Sequence, residues 1–288
     1  MNSIGASTWI WCSPLTDERL AALAPRLSAL GFDLIELQVE DPGQWDPAVA
    51  AELSARHGLG TSLCCVMGPG RDLSVADRGV VAATQEYLRG CIDVAERIGS
   101  AVVAGPMYAP VGRLWRLDGP ERERTLERVA AGLRPLADYA GERGVRLAVE
   151  PLNRYETSLI NTVAQGLELV ELVSSDACGL LLDTFHLNIE ERDPAAAASA
   201  AGSRIAHVHA CGTDRGAPGR DRFDWDGFMR ALRSAGYEGS LCIESFTPEQ
   251  ESIATAAAIW RPLASSPDRL ASDGLEFLRG AVLDARAE

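Results

Sequence analysis

The stretch Arg146-Leu147-Ala148-Val149-Glu150 contains a short apolar run that ends in a carboxylate, and such a run is typical of a buried β-strand. Similar runs, rich in valine, isoleucine, leucine and alanine, occur before and after it. Together they predict eight strands, at residues 4–7, 34–38, 61–65, 101–105, 146–150, 179–183, 205–209 and 240–244. Their recurrence along the chain indicates one repeated structural unit.

Longer amphipathic segments separate these runs. Apolar residues recur in them at three- and four-residue spacing, which predicts helices at residues 17–30, 80–98, 121–143 and 161–173. Glycines that can end a helix stand at Gly31, Gly99, Gly144 and Gly236. The alternation predicts an α/β protein with a single (β/α)8 barrel of the TIM type. We expect one domain over residues 1–288, in which residues 263–288 form a last helix and a short polar tail.

An open, doubly wound parallel sheet is the alternative fold. Such a sheet usually carries a glycine-rich phosphate turn after an early strand, of the form GxGxxG or GxxxxGK[ST]. No turn of this quality is present, and the GPGR segment at residues 68–71 is interpreted as an ordinary loop. The sequence therefore favours the closed barrel.

The charge balance bears on the kind of partner. The 288 residues carry 27 basic and 41 acidic side chains, for a formal net charge of −14. A surface of this kind is poorly suited to nucleic-acid phosphates or anionic lipids. We therefore expect a small-molecule substrate, with no nucleic-acid or membrane partner.

Seven cysteines are scattered along the chain, at Cys12, Cys64, Cys65, Cys91, Cys178, Cys211 and Cys242. Their odd number and the lack of a CxxC pair argue against a disulfide framework or a thiolate zinc site. The first residues have no basic region before an apolar stretch, and no apolar window is long enough for a membrane span. These features predict a cytoplasmic protein.

Four of the predicted strands end in a residue of a type that commonly binds metals in proteins, namely Glu150, Asp183, His209 and Glu244. The carboxyl ends of barrel strands meet on one face, so these side chains should point to a common centre. Three carboxylates and one imidazole favour Mn²⁺, with Co²⁺ or Mg²⁺ as alternatives, over the sulfur-rich sites of structural zinc. The pattern predicts a divalent metal at this face.

A metal site of this kind suits proton transfer next to a carbonyl. A bound dication can neutralise an enediolate, and Glu150 and Glu244 could act as the two bases on either side. Polar residues follow three of the strands at loop distance, at Glu156, His186 and Arg215. Their side chains suit the hydroxyl groups of a sugar.

Two further histidines are interpreted as non-catalytic. His207 is expected to face away from His209, into the helix layer, in a structural role. His57 is expected at the surface, where an early helix ends.

At these same residues the sequence resembles the ketose 3-epimerases, the group that contains the D-tagatose, D-allulose (D-psicose) and L-ribulose 3-epimerases within the xylose isomerase-like barrels. The likeness extends from about residue 5 to residue 246. The matching motifs are AVEPLNRYE at 148–156, LDTFHLNIEE at 182–191, HVH at 207–209, DRGAPG at 214–219 and IESF at 243–246.

The resemblance implies a metal-dependent isomerase that interconverts the C3 epimers of a free ketohexose or ketopentose. It implies four metal ligands, at Glu150, Asp183, His209 and Glu244, of which the two glutamates are also the acid/base pair. It implies substrate contacts at Glu156, His186 and Arg215, and apolar contacts to the far end of the sugar at Cys65, Trp115 and Phe246. A homodimer or homotetramer is expected. The sequence departs from the family at Asp221 and Arg222, where a second glycine and then a histidine are usual.

Three other functions can be compared with the same sequence features. An aldose–ketose or hydroxypyruvate-type isomerase would use the same metal but move the proton between C1 and C2. A metal-dependent endonuclease of the same superfamily would need further ligands and a basic groove, which four histidines and a charge of −14 do not supply. A barrel that only binds sugars would not need the complete set of ligands.

Overall fold

Eight parallel strands form a closed barrel in the computed structural model, which describes residues 2–287. The strands are β1 Ile4–Ser7, β2 Leu34–Val39, β3 Gly60–Cys65, β4 Val102–Gly105, β5 Arg146–Val149, β6 Cys178–Asp183, β7 Ile205–Ala210 and β8 Leu241–Ile243. Each pairs with the next in sequence, and β1 pairs with β8 to close the barrel. The predicted α/β class and (β/α)8 barrel are confirmed, and the open sheet is excluded.

Ten α-helices occur within the described residues. They are α1 Asp17–Leu30, α2 Pro47–Arg56, α3 Arg78–Ile98, α4 Gly119–Gly141, α5 Val163–Val173, α6 Thr184–Glu190, α7 Pro194–Ala201, α8 Trp225–Ser234, α9 Glu251–Ala256 and α10 Pro267–Ala287. The predicted helix at 161–173 begins two residues later because Thr162 caps it and forms a capping box with Gln165. Helix α10 begins at Pro267 rather than at residue 263, and residue 288 lies outside the described part of the chain.

The strands separate two buried layers. On β2, Ile35 and Leu37 belong to the main core, which also contains apolar residues of the helices, whereas Glu36 between them is buried and bonded to residues of β3 and β7. Strand residues two apart share a face, so this alternation directs every second side chain into the barrel. Ala148 and Leu181 therefore lie on the same side of the sheet as Glu150 and Asp183, two residues further on, and they pack in a small separate cluster.

The structure also bears on the predictions for the cysteines, for His57 and for membrane spans. All seven cysteines are buried and unpaired. His57 caps the end of α2, as expected, and is partly buried there. Among residues 2–287, no helix combines the length and apolar character that crossing a membrane requires.

Candidate active site

The four side chains predicted to hold a metal lie together at the carboxyl end of the barrel. Glu150 follows β5, Asp183 ends β6, His209 lies in β7 and Glu244 follows β8. All four are buried, and one candidate ligand atom from each lies within 4.8 Å of the others. The structure therefore brings the predicted ligands into one group, which we call the ligand group.

The donor atoms of the ligand group fit a single cation. His209 Nδ1 is a buried atom with no hydrogen-bond partner, and it lies 3.3 Å from Glu244 Oε1 and 3.9 Å from Asp183 Oδ2. A metal ion between them would accept the lone pair of this nitrogen and neutralise the carboxylates. Three oxygens and one nitrogen form a mostly hard donor set, which suits divalent cations such as Mn²⁺ and Mg²⁺.

The pKa values of Glu150 and Asp183 are shifted in opposite directions. Burial, together with the nearby charges of Glu244 and Asp183, raises the pKa of Glu150 well above its usual range. Burial would also raise the pKa of Asp183, but the charge of Arg215 and its hydrogen bond, together with the imidazoles of His186 and His209, outweigh burial and the pKa is lowered. Opposite pKa shifts in neighbouring carboxyl groups are typical of acid/base sites. Without a cation, Glu150 is therefore the carboxyl that holds a proton more readily.

Arg215 reaches directly into the ligand group. Its Nη1 donates hydrogen bonds to Asp183 and, at 2.9 Å, to Glu244 Oε2. Its backbone has the left-handed φ of 68°, and the Ser245 hydroxyl donates to its carbonyl oxygen at 2.6 Å. A left-handed non-glycine residue held in this way is characteristic of functional sites. The guanidinium therefore borders both the ligand group and the cavity.

His186 and Glu156 are held by one residue, Asn153. The Asn153 backbone N–H donates to His186 Nδ1 at 3.0 Å, and its side-chain Nδ2 donates to Glu156 Oε1 at 2.7 Å. Burial lowers the pKa of His186 to about 4, so its ring is neutral near pH 7. His186 Nε2 lies 3.0 Å from Arg215 Nη2 and 3.5 Å from Glu150 Oε1. The sequence motif contained Asn153, but no role had been predicted for it.

A cavity of about 700 Å³ opens above the ligand group. Its lining includes seven predicted site residues, namely Cys65, Glu150, Glu156, His186, Arg215, Glu244 and Phe246. A second part of the lining is apolar and was mostly not predicted. We call it the apolar wall, and it consists of Trp9, Cys64, Phe246, Ile253 and Ile259, which pack against one another or into the same cluster.

Cys65 lines the cavity beside β4. Burial raises the pKa of its thiol well above the usual range, so the thiol stays neutral. Gly105 at the end of β4 has a φ of 131°, and a Cβ there would lie 2.8 Å from the Cys65 carbonyl oxygen and 2.9 Å from its Sγ. Glycine at this position allows Cys65 to keep its place in the lining.

Trp115 is not among the described residues that line the cavity. It lies in the loop before α4. Its ring stacks under the Arg113 guanidinium at 4.2 Å, and its backbone N–H donates to Ser158 Oγ at 3.0 Å. The same loop lines the cavity through Val111 and Gly112 instead. The predicted contact of Trp115 with substrate stays a prediction.

The expectation for His207 was wrong. His207 Nε2 lies 2.8 Å from Glu36 Oε2, and His209 Nε2 lies 2.9 Å from Glu36 Oε1. Residues two apart on a strand point to the same face, so both histidines face the barrel interior. Glu36 itself was missed, because its partners are far from it in sequence.

The two residues that depart from the family pattern do not line the cavity. Asp221 Oδ1 accepts hydrogen bonds from the Phe223 N–H at 2.8 Å and from Trp225 Nε1 at 3.1 Å, and Arg222 is exposed. Asp221 therefore fastens its loop to the start of α8. The departure lies outside the cavity lining, and every predicted ligand is present.

The fold and the ligand group define a class of barrel. Residues 24–281 match the model of the xylose isomerase-like TIM barrel family. The chain is 37% identical, over 86% of its own length and 86% of the relative, to a probable ketose 3-epimerase of Synechocystis sp..

Solved structures support the same assignment. An L-ribulose 3-epimerase structure superposes with a TM-score of 0.93 at 34% identity, covering 100% of this chain and 96% of the other. A D-allulose 3-epimerase from Methylomonas sp., solved in complex with D-allulose, superposes with a TM-score of 0.90 at 30% identity, covering 97% of each chain. The chain therefore belongs to the ketose 3-epimerase family of xylose isomerase-like barrels, and it is an enzyme of the isomerase class.

Proposed function

We propose that this protein is a metal-dependent ketose 3-epimerase that interconverts C3 epimers of a free ketohexose or ketopentose. The observation that carries the proposal is the ligand group, in which two glutamates from different strands both line one cavity. The relatives named ketose 3-epimerase and L-ribulose 3-epimerase, and the structure with D-allulose, support a ketose as substrate.

The proposed ligands of the metal are Glu150, Asp183, His209 and Glu244, and Mn²⁺ is the proposed ion, with Co²⁺ or Mg²⁺ as alternatives. A bound dication would act as a Lewis acid and lower the energy of the anion that forms when a proton leaves the carbon next to the carbonyl. The chain supplies the remaining steps with its own side chains.

Glu150 and Glu244 are the proposed acid/base pair. One carboxylate removes the proton from C3, the electron pair delocalises into an enediolate, and the other carboxyl group returns a proton to C3 on the opposite face. The net change is inversion at C3, and the two glutamates exchange protonation states.

Three polar residues are proposed to hold the end of the ketose that reacts. His186 presents its Nε2 atom, Arg215 a buried guanidinium, and Glu156 a carboxylate fixed by Asn153. Cys65 and Phe246, which line the cavity, are proposed to contact the rest of the sugar, and the same contact is proposed for Trp115 in the loop before α4. Neutral hydroxyl groups match this mixture of donors and acceptors.

Several broader features belong to the same proposal. The chain is proposed to act as one domain, because α10 packs on both β1 and β8 and so joins the end of the chain to the barrel. We also propose a cytoplasmic homodimer or homotetramer. The charge of −14 supports a small-molecule substrate over nucleic acid or a membrane surface.

Turnover in heavy water tests the proposal. The Mn²⁺-loaded protein is incubated with D-fructose, D-tagatose, D-allulose and L-ribulose, and the products are separated by chromatography. We expect a C3 epimer that carries deuterium at C3. Deuterium found only at C1 or C2 would instead identify an aldose–ketose isomerase and contradict the proposal.

A further inference from the structure

Glu36 is a carboxylate in the middle of β2, inside the barrel, with no exposed surface. Its Oε2 accepts a hydrogen bond from Ser62 Oγ at 2.9 Å and lies 2.8 Å from His207 Nε2. Its Oε1 lies 2.9 Å from His209 Nε2. Burying a carboxylate is costly unless partners compensate for the lost water, and here Ser62 and His207 bond to Oε2 while the His209 ring faces Oε1.

His209 connects Glu36 to the ligand group. Its Nε2 faces Glu36, whereas its Nδ1 faces Glu244 and Asp183 in the ligand group. A neutral imidazole has one N–H and one lone pair, and a metal ion binds through the lone pair. A carboxylate can only accept a proton, so Glu36 favours the form of His209 with hydrogen on Nε2. That form directs the Nδ1 lone pair into the ligand group.

We propose that Glu36 is a positioning residue that fixes the tautomer and the ring orientation of His209, and thereby increases the affinity of the ligand group for its metal. Carboxylates that orient metal-binding histidines in this way are general in metalloproteins. Ser62 and His207 hold the other oxygen of Glu36, so the carboxylate cannot turn away from His209. This inference rests on the proposed metal site.

A second metal site at Glu36 is the alternative explanation of these contacts. Glu36, His207 and Cys242 also lie close enough to bind a cation of their own. The contacts argue against this use, because Oε2 already interacts with His207 and Ser62.

The first experiment measures Mn²⁺ affinity by titration calorimetry of the metal-free protein. Three variants form a series. Glu36→Met removes the acceptor but keeps a chain of similar length, Glu36→Gln keeps an oxygen acceptor but loses the charge, and Ser62→Ala removes a hydrogen bond to Glu36 without touching His209. We expect the dissociation constant to rise by about 10- to 100-fold in Glu36→Met, as for other such partners, less in Glu36→Gln, and little in Ser62→Ala.

The outcomes separate the inference from the proposed function. If the unaltered chain binds no metal, the proposed metal site fails, and this inference with it. If the unaltered chain binds one Mn²⁺ per subunit and Glu36→Met binds it equally well, only the inference is wrong. A second Mn²⁺ per subunit that disappears in Glu36→Gln would also overturn it, in favour of a separate site at Glu36.

A second measurement does not depend on the folding of Glu36→Met. The chain has four histidines, so ¹⁵N-histidine labelling of the Zn²⁺-loaded protein gives a simple NMR spectrum. We expect His209 to carry its proton on Nε2, with a downfield signal typical of a hydrogen bond to a carboxylate. A His209 ring protonated on Nδ1 and bound through Nε2 would overturn the inference, because a purely structural Glu36 would not select the tautomer.

Discussion

The cavity is lined by two regions of opposite character, the ligand group and the apolar wall. The ligand group is formed by residues in or directly after strands of the closed barrel. Most of the apolar wall lies in loops and in the short helix α9. Strands position functional groups more rigidly than loops do. The difference suggests that the barrel determines the reaction, whereas the loops determine which sugar fits.

Metal removal should have the largest effect, because it disables the ligand group and leaves the apolar wall intact. We expect exhaustive chelation to abolish epimerisation and Mn²⁺ to restore it. Turnover is followed by chromatography of D-fructose and D-allulose. Unchanged turnover after chelation, with metal content checked by mass spectrometry, would contradict a metal-dependent reaction.

Neutralising either proposed base should have the next largest effect. In Glu150→Gln and Glu244→Gln, we expect a rate loss on the order of a hundredfold or more at saturating Mn²⁺, because proton transfer loses its acceptor or donor. The control is Glu168→Gln, which changes an exposed carboxylate paired with Arg122. A variant at either base that keeps normal turnover would exclude the two-base scheme.

Arg215 lies between the two regions, since it bonds to the ligand group and its guanidinium lies 5.4 Å from the ring centre of Phe246 in the apolar wall. In Arg215→Met we expect kcat/KM to fall by about 10- to 100-fold, because hydrogen bonds from a charged group are each worth roughly 1.5–3 kcal/mol. Bound metal should be retained, as measured by calorimetry. Arg261→Met, which removes an exposed partner of Asp214, is the matched control. A variant that lost its metal and kept a normal KM would show that Arg215 serves the ligand group alone.

Changes to the apolar wall should have the smallest effect on rate. In Phe246→Ala we expect KM to rise by about three- to tenfold with little change in kcat, because an aromatic contact to the sugar is lost while the proposed bases remain. Trp260→Ala is the control, since Trp260 neighbours Ile259 but is 74% exposed and does not line the cavity. A fall in kcat as large as that of the glutamate variants would remove the distinction between the two regions.

The two regions also differ in how well the sequence predicts their residues. Glu150, Asp183, His209 and Glu244 could be selected from the sequence because each ends an apolar run, and closure of the barrel then brings such positions together. The apolar wall could not be selected in this way. Trp9 and Ile259 are 250 positions apart in sequence and look like ordinary core residues, and their meeting depends on how the loops after β1 and β8 fold.

The orientation of His207 could have been predicted correctly from the strand pattern. Alternation along a strand has a period of two, so His207 and His209 necessarily share a face, and the sequence already contained this information. What the sequence did not contain is the partner. Glu36 is 171 residues away from His207, and only the closed barrel brings β2 opposite β7.

The sequence by itself determined the strand and helix periodicity, the closed barrel and the type of donor at each strand end, because these follow from local spacing and burial. The tertiary structure decided the contacts between distant elements: Glu36 with His209, Asn153 with His186, and Arg215 with Glu244. These contacts depend on angles and distances across the barrel. No local pattern encodes them, since a buried polar residue has the same appearance in sequence whichever partner compensates its burial.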